Sequence, residues 1–411
     1  MTANFSPLID CDTKAHTFVQ DPYATYRRWH AESPAFYWQQ YDHWCFAGYD
    51  AVNGLLRDKR FGRQILHITD RQTLGWPDRP AHLAEFDAIE RHSLLELEPP
   101  NHTKLRRLIT KAFVSRQVET LRPQIRKTCH DAIDRFAESG SVELLRSYAM
   151  AVPLTTICNL LGVELSAGPQ LLAWSHAIVK MYVLAPPLET QIAANKAAAE
   201  FAAFLTEQID IKRTSPGDDL LSALIAVENQ GDTLSVDELI STTVVLLNAG
   251  HEATVHQFGN AMRIFLTLNL DAPSLLGSPE ACAATVEELI RYDAPLHMFT
   301  RYALSDMTLQ IEGLSIELKL GDKIGLLLGA ANRDPRTFDS PDEFLPHRDD
   351  QNNISFGAGI HFCIGAPLAR IELQEMLSVL FERLPTIKLS TEPRFADIYH
   401  FHGLERLDVM W

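Results

Sequence analysis

Residues Phe356–Gly365 read F-G-A-G-I-H-F-C-I-G, placing one cysteine, Cys363, after a glycine-rich turn and before a helical stretch expected from Ile364 to about Leu384. Gly357 and Gly359 permit tight or left-handed backbone, so the loop can lie close against something flat. The first N–H groups of the following helix have no intrahelical acceptor and can point at the sulfur. Pro367 is compatible with that first turn, which does not need its missing N–H. A thiolate in this setting suits a metal. With no second Cys or His at zinc spacing, it suits haem iron. The alternative for an isolated cysteine is a buried, inert side chain.

Other groupings have informative spacings. Ala249-Gly250-His251-Glu252-Ala253-Thr254 sets small residues, an acid and a hydroxyl in an apolar helical segment. Small residues there let a flat cofactor approach the backbone, or simply mark a helix-packing notch. Glu288 and Arg291 share one helical face, where an ion pair can pin the helix. Glu119–Arg122 and Glu143–Arg146 have the same spacing, so position must distinguish them. His102 and Arg106, four apart, project from one face. Lys104, Arg107, Lys111 and Arg116 form a basic stretch, read either as a solvated helix face or as a docking patch.

Helices must position most of these groups. Ser235 with Glu238 is a capping-box signature, opening a helix expected to reach about Leu266, apolar almost all round at V-V-L-L-N-A-G and hence buried. Further helices are expected over Pro22–Glu32, Asp50–Leu56, from His102 onward, Arg116–Glu138, Leu144–Leu161 with a kink at Pro153, Leu171–Leu205 in two pieces around Pro186–Pro187, and Pro279–Tyr292. The aromatic run Ala35–Gly48 reads as a strand pair, with strand-like patches at Thr300–Ala303, Thr308–Ile311 and Lys323–Leu328. Gln64–Ser93 has no sustained period but carries apolar side chains, as binding loops and self-packed loops both do.

The expected fold class is mainly α with a minor β-sheet, as one domain over residues 1–411, since no linker, repeat or low-complexity tract interrupts the chain. Hydrophobic residues at 46% and charged residues at 22% are ordinary for a soluble globular protein. A formal charge of −16 argues against general nucleic-acid or anionic-membrane binding. The cysteines at 11, 45, 129, 158, 282 and 363 are scattered, which suits a reduced, cytoplasmic protein. No signal sequence and no run near 18 apolar residues is present, so a soluble redox partner is expected.

The cysteine stretch resembles the haem-binding signature of the cytochrome P-450 family, F-G-x-G-x-H/R-x-C-x-G, with Phe356, Gly357, Gly359, His361, Cys363 and Gly365 at its fixed positions. The resemblance extends along nearly the whole chain. Ala249–Thr254 is similar to the family's A/G-G-x-D/E-T-T over the oxygen site, where acid and first threonine deliver protons. Glu252 matches the acid and Thr254 the second threonine, but Ala253 stands where the first belongs. Residues are about 100° apart around a helix, so Thr254 cannot simply supply the missing hydroxyl. Glu288–Arg291 resembles E-x-x-R, and Phe344-Leu345-Pro346-His347-Arg348 resembles F-x-P-x-R, which together imply a structural network. P-P-N-H with Leu105 and Arg106 resembles P-P-x-H-x-x-L-R; with Arg301 and His361 it implies four contacts to the propionates of haem b.

The resemblance implies a soluble bacterial-type monooxygenase with Cys363 as axial ligand, using O2 and electrons from a ferredoxin and its reductase. The expected reaction is hydroxylation or epoxidation of a mid-sized, partly polar small organic substrate by a monomer. The pocket is expected to draw on Leu83, Phe86, Leu94, Met181, Leu184, Val245, Asn248, Leu296, His297, Met298, Phe299 and Phe401. The alternatives are a peroxide-driven peroxygenase, which usually carries an arginine near the oxygen site, and a non-catalytic haem-binding or carrier-docking module of the same fold. Val244–Thr254 contains no such arginine.

Overall fold

The computed structural model describes residues 7–112, 115–183, 185–227, 231–349 and 352–411, with only the backbone of 115–117. Leu184 and the side chain of Arg116 therefore lie outside the described residues. The chain is organised around a 32-residue helix, Val236–Thr267, about 48 Å long. Its start is fixed by a reciprocal cap: Glu238 N–H donates to Ser235 Oγ (3.1 Å), and Ser235 N–H donates to Glu238 Oε2 (2.8 Å). Leu239, Val244, Leu247, Phe258, Met262 and Phe265 are all buried along it. At about 1.5–3 kcal/mol for each fully buried large apolar side chain, this burial holds the helix at the centre although polar residues such as Thr243, Asn248 and Asn260 are buried along it too.

Around this central helix pack Ala151–Leu161, Gly168–Val179, Leu188–Thr214, Pro279–Tyr292 and Ala366–Arg383. Beside the helical core lie two smaller clusters, one on the sheet and one mostly of aromatic side chains from the first 50 residues, joined by Met298, Leu327, Ala330 and Tyr399. The six-stranded sheet runs Leu8–Ile9, Ala35–Trp38, His43–Phe46, Lys323–Leu326, Phe299–Ala303, Phe61–Gly62, pairing Arg301 with Ile324. A three-stranded sheet joins Lys388–Leu389, Asp408–Met410 and Ser141–Glu143, and a hairpin joins Met307–Ile311 to Leu314–Leu318.

The mainly helical expectation holds, with local departures. Pro153 makes no kink. The chain takes a π-helical turn over Leu145–Ala149, and a new helix begins at Ala151, so the proline falls in a first turn that does not need its N–H. The strand expected to reach Leu328 stops at Leu326, where the chain turns into the short helix Leu328–Ala331. Arg116–Glu138 is two helices, broken at Leu121 before Pro123. Inside Gln64–Ser93, Ala84–Glu90 is helical and buries Phe86 and Ile89. Among the described residues, no helix is long and apolar enough to cross a membrane.

Candidate active site

The cysteine loop takes its shape from glycine. Gly357 and Gly359 both have φ of +71°, and a Cβ on Gly359 would sit 2.6 Å from the Leu56 carbonyl oxygen. Only glycine allows this left-handed, close approach. The Cys363 N–H donates to the Phe356 carbonyl (3.0 Å), closing the loop just before the helix Ala366–Arg383. Burial pushes the Cys363 thiol up, while the N–H groups of Gly365 and Ala366 and the guanidiniums of Arg106 and Arg370 favour the thiolate. Arg106 is anchored across the loop by donating to the Phe362 carbonyl (2.7 Å).

On one flank, the rings of His102 and His361 lie 4.5 Å apart, and His361 Nε2 meets Glu98 Oε1 at 3.1 Å. His102 is buried with Nε2 unpartnered; burial, with His361 and Arg106 nearby, lowers it to about 4. Arg301 is only 3% exposed and makes no ion pair among the described residues; its one hydrogen bond goes to the Thr300 carbonyl (2.9 Å). Burial, then the neighbouring charge of Arg63, pulls it down to about 9. A buried guanidinium without a counter-ion is costly. An anion between Arg301, His102 and His361 would remove that cost.

The central helix carries the other half of the constellation. A Cβ built on Gly250 would touch Ile157 Cδ1 at an ordinary contact distance of 3.9 Å, so the helix surface there is close to its neighbour without being crowded. Glu252 Oε1 pairs with His176 Nε2 (3.0 Å), and its Oε2 lies 3.7 Å from His256 Nε2. Burial raises the Glu252 carboxyl, but His176 and then the other two histidines outweigh it and leave it below its ordinary value. Thr254 Oγ donates back to the Gly250 carbonyl (3.3 Å). Behind it, Glu372 of the cysteine helix lies against the hydroxyls of Thr254 and Thr156, pushed up to about 8 by burial. His176, His256 and Glu372 were not among the sequence candidates. An acid on the buried face of a helix otherwise lined by Leu368, Ile371 and Met376 is the signal that could have found Glu372.

The three E-x-x-R pairs separate by environment. Glu288 and Arg291 are buried and doubly bonded (2.7 and 2.8 Å), and Arg348 Nε donates to the same carboxylate at 2.9 Å. Arg291 also donates to the Asn332 and Pro341 carbonyls, tying the helix to the segment ahead of the cysteine loop. Glu119–Arg122 is a surface pair, and Glu143 accepts from the backbone N–H groups of Leu145 and Arg146.

The expected pocket set divides. Leu83, Phe86 and Leu94 are buried in the helical core that Val244 shares, with Met181 packed on it; Val245 and Asn248 are buried on the central helix. Leu296 forms an isolated bridge to Phe401, and Phe299 comes near Gly357. His297 is fully buried elsewhere, 2.7 Å from the Tyr26 hydroxyl, and Met298 packs among Tyr26, Trp29 and Trp38. The basic stretch is partly spent on the fold: Lys104 pairs with Glu238 (3.1 Å) and Arg107 with Asp232 (2.6 Å).

Comparison with known proteins identifies the scaffold. The chain is 34% identical to cytochrome P450 monooxygenase PikC of Streptomyces venezuelae over 98% of its own length and 94% of the relative's. The chain belongs to the cytochrome P450 family. The family model described as Cytochrome P450 matches residues 281–398. The mycinamicin IV hydroxylase/epoxidase of Micromonospora griseorubida is 35% identical over 90% of this chain and 89% of that protein. Among solved structures, P450BioI in complex with an acyl carrier protein ligated to hexadec-9Z-enoic acid superposes with a TM-score of 0.87 at 29% identity, covering 96% of this chain and all of that one. The P450 PksS of the Bacillus subtilis 168 bacillaene polyketide synthase gives 0.87 at 30%, covering 97% and 99%. The chain is thus a P450 oxidoreductase of the monooxygenase type, and the family's cofactor is haem b. Among the described residues the donor set fits that group: one thiol facing helix N–H groups, with a buried guanidinium that has no ion pair and an unpartnered imidazole nitrogen for its carboxylates.

Proposed function

We propose that this P450 inserts one atom of oxygen from O2 into a C–H or C=C bond of a mid-sized, partly polar organic molecule. The observation that carries the reading is the pairing of a thiol among helix N–H groups with an anion site made by buried Arg301 and unpartnered His102. Bound haem supplies oxygen activation, which thiolate ligation favours. In this reading Cys363 is the ligand, Phe356 and Gly365 frame the sulfur, and His102, Arg106, Arg301 and His361 hold the propionates. Glu288, Arg291 and Arg348 keep the cysteine loop's approach rigid.

Glu252 is the proton-handling acid. Ala253 offers no hydroxyl, and the Thr254 hydroxyl is committed to the Gly250 carbonyl and Glu372. The substrate therefore brings its own hydroxyl or carbonyl near the oxidised carbon, or water bridges from Glu252 to the notch. Leu83, Phe86, Leu94, Val245, Asn248, Leu296, Phe299 and Phe401 form the pocket. Relatives named for polyketide biosynthesis and for hydroxylation of mycinamicin IV and 6-deoxyerythronolide B favour a polyketide-like substrate. A ferredoxin supplies electrons at the cysteine loop, where Ile360 and Phe362 are exposed beside Arg106. A carrier-tethered acyl substrate is the second reading, favoured by the carrier-protein complex of the P450BioI neighbour.

A ligand panel scored by the low-spin to high-spin shift of the haem tests the substrate class; polyketide-like ligands should give the largest shifts. Cys363→Ser should abolish the red-shifted Soret band of thiolate-ligated ferrous–CO haem, and its retention would sink the ligand assignment. If Ala253→Thr raised coupled turnover on the true substrate, substrate assistance would be wrong.

A further inference from the structure

Beside the notch, three metal-ligating side chains from two helices converge. His176, on Gly168–Val179, and His251 and Glu252, on the central helix, bring ligand atoms within 4.8 Å of one another. A fourth donor is close: His256 Nε2 lies 3.7 Å from Glu252 Oε2, and its Nδ1 is buried without a partner. His251 supplies an independent sign of an absent ligand. It is 1% exposed, and apart from an approach to the Met150 backbone its ring nitrogens have no hydrogen-bond partner among the described residues. Buried polar atoms are rarely left so, and each one costs about 1–3 kcal/mol.

We propose that His176, His251, Glu252 and His256 form a second metal site, for a divalent transition ion of the zinc class, separate from the haem. Imidazole nitrogens with one carboxylate oxygen suit Zn2+ and its neighbours rather than Ca2+ or Mg2+. Bonds of about 2.0–2.1 Å put tetrahedral donors about 3.4 Å apart, so side-chain shifts of about 1 Å would close His176, His251 and Glu252, with His256 next to the carboxylate as the fourth donor. His176 is 39% exposed and opens a route from solvent.

A second grouping, Asp293, His297 and His402, has the same donor spacing and also leaves His297 Nε2 and His402 Nε2 unpartnered, but its carboxylate is taken. Both Asp293 oxygens are already engaged, by the Tyr23 hydroxyl (2.8 Å) and Arg263 (2.9 Å), and all three residues are sealed. The adjacent guanidinium would also oppose a cation.

Metal binding itself does not depend on the role proposed above for Glu252, but its consequence does. An ion there would take the carboxylate out of proton delivery and silence the enzyme. Equilibrium dialysis of the haem-loaded, chelator-treated protein against Zn2+, read by elemental analysis, tests the site directly. One Zn2+ per chain is expected, with binding at least tenfold weaker in both His176→Ala and Glu252→Gln. A zinc-edge absorption spectrum should show nitrogen and oxygen neighbours only. No stoichiometric zinc, a sulfur neighbour, or undiminished binding in both variants would overturn the site. Product formation should fall with the same zinc midpoint as binding, and that midpoint should rise in His176→Ala. Zinc binding that leaves product formation unchanged would refute the silencing of Glu252 while leaving the ligand set standing.

Discussion

Replacing Glu372 by glutamine should change how stability depends on pH. The side chain is 2% exposed, and burial raises its pKa from 4.5 to about 8 against the opposing pull of Thr156 and Thr254. Between those values the folded chain keeps a proton that the unfolded chain has lost, so stability falls as pH rises, by about 1.4 kcal/mol per unit. The slope ends above the folded value. Glutamine has no proton to lose and can still donate to the two hydroxyls, which keep their own bonds to carbonyls one turn back. From pH 5 to pH 7 the variant should therefore gain about 2.7 kcal/mol relative to the parent. Unfolding entropy of about 2.1 cal/mol/K per residue gives roughly 0.9 kcal/mol/K for 411 residues, so the difference in Tm, variant minus parent, should rise by about 3 °C. Calorimetry of the haem-loaded pair at pH 5, 6 and 7 measures it. A difference that stays flat across that range would mean the carboxyl is ionised in the fold, and the reasoning would fail.

Three further outcomes follow from geometry. Gly359→Ala forces a Cβ against the Leu56 carbonyl at a positive φ; strain of several kcal/mol is expected, read as protein that purifies with little haem. Arg291→Met leaves Glu288 buried with only Arg348 as ionic partner and should cost about 3–5 kcal/mol, measured as a fall in Tm with the haem spectrum of the surviving fold unchanged. Arg301→Gln removes the buried cation proposed to meet a propionate; at about 1.5–3 kcal/mol for a charge-assisted bond, haem transfer to an excess of acceptor apoprotein should quicken about tenfold or more.

Apart from the network of Glu288, Arg291 and Arg348, which the family resemblance implied, what could be read from the sequence was local. The capping box at Ser235 and Glu238 located the start of the central helix to one residue, because the cap is written within four positions. The glycines of the cysteine loop were readable because left-handed backbone has a residue signature. The unread parts are pairings between distant segments. Nothing in the periodicity of Gly168–Val179 announces that His176 will meet Glu252, or that Glu98 will meet His361 across 263 positions. The basic stretch shows the converse. Four cations in sequence suggest a patch, but Lys104 and Arg107 turn to Glu238 and Asp232 near the start of the central helix. Leu296, His297, Met298 and Phe299 likewise look like one pocket wall, until the sheet divides them between Phe401, the aromatic cluster and the cysteine loop.

The small sheet that ties Ser141–Glu143 to Asp408–Met410 also sets an order of events during synthesis. Glu143 accepts from the N–H of Leu407, 264 positions later. At about 5–20 residues per second, the earlier strand waits roughly 15–50 s for its partner. Phe401 reaches Leu296 in the same closing interval. The cysteine loop, the cations around it and the central helix have by then all been made. Capture of the cofactor and closure of this sheet are thus separable in time, and a released chain ending before residue 401 should still acquire haem.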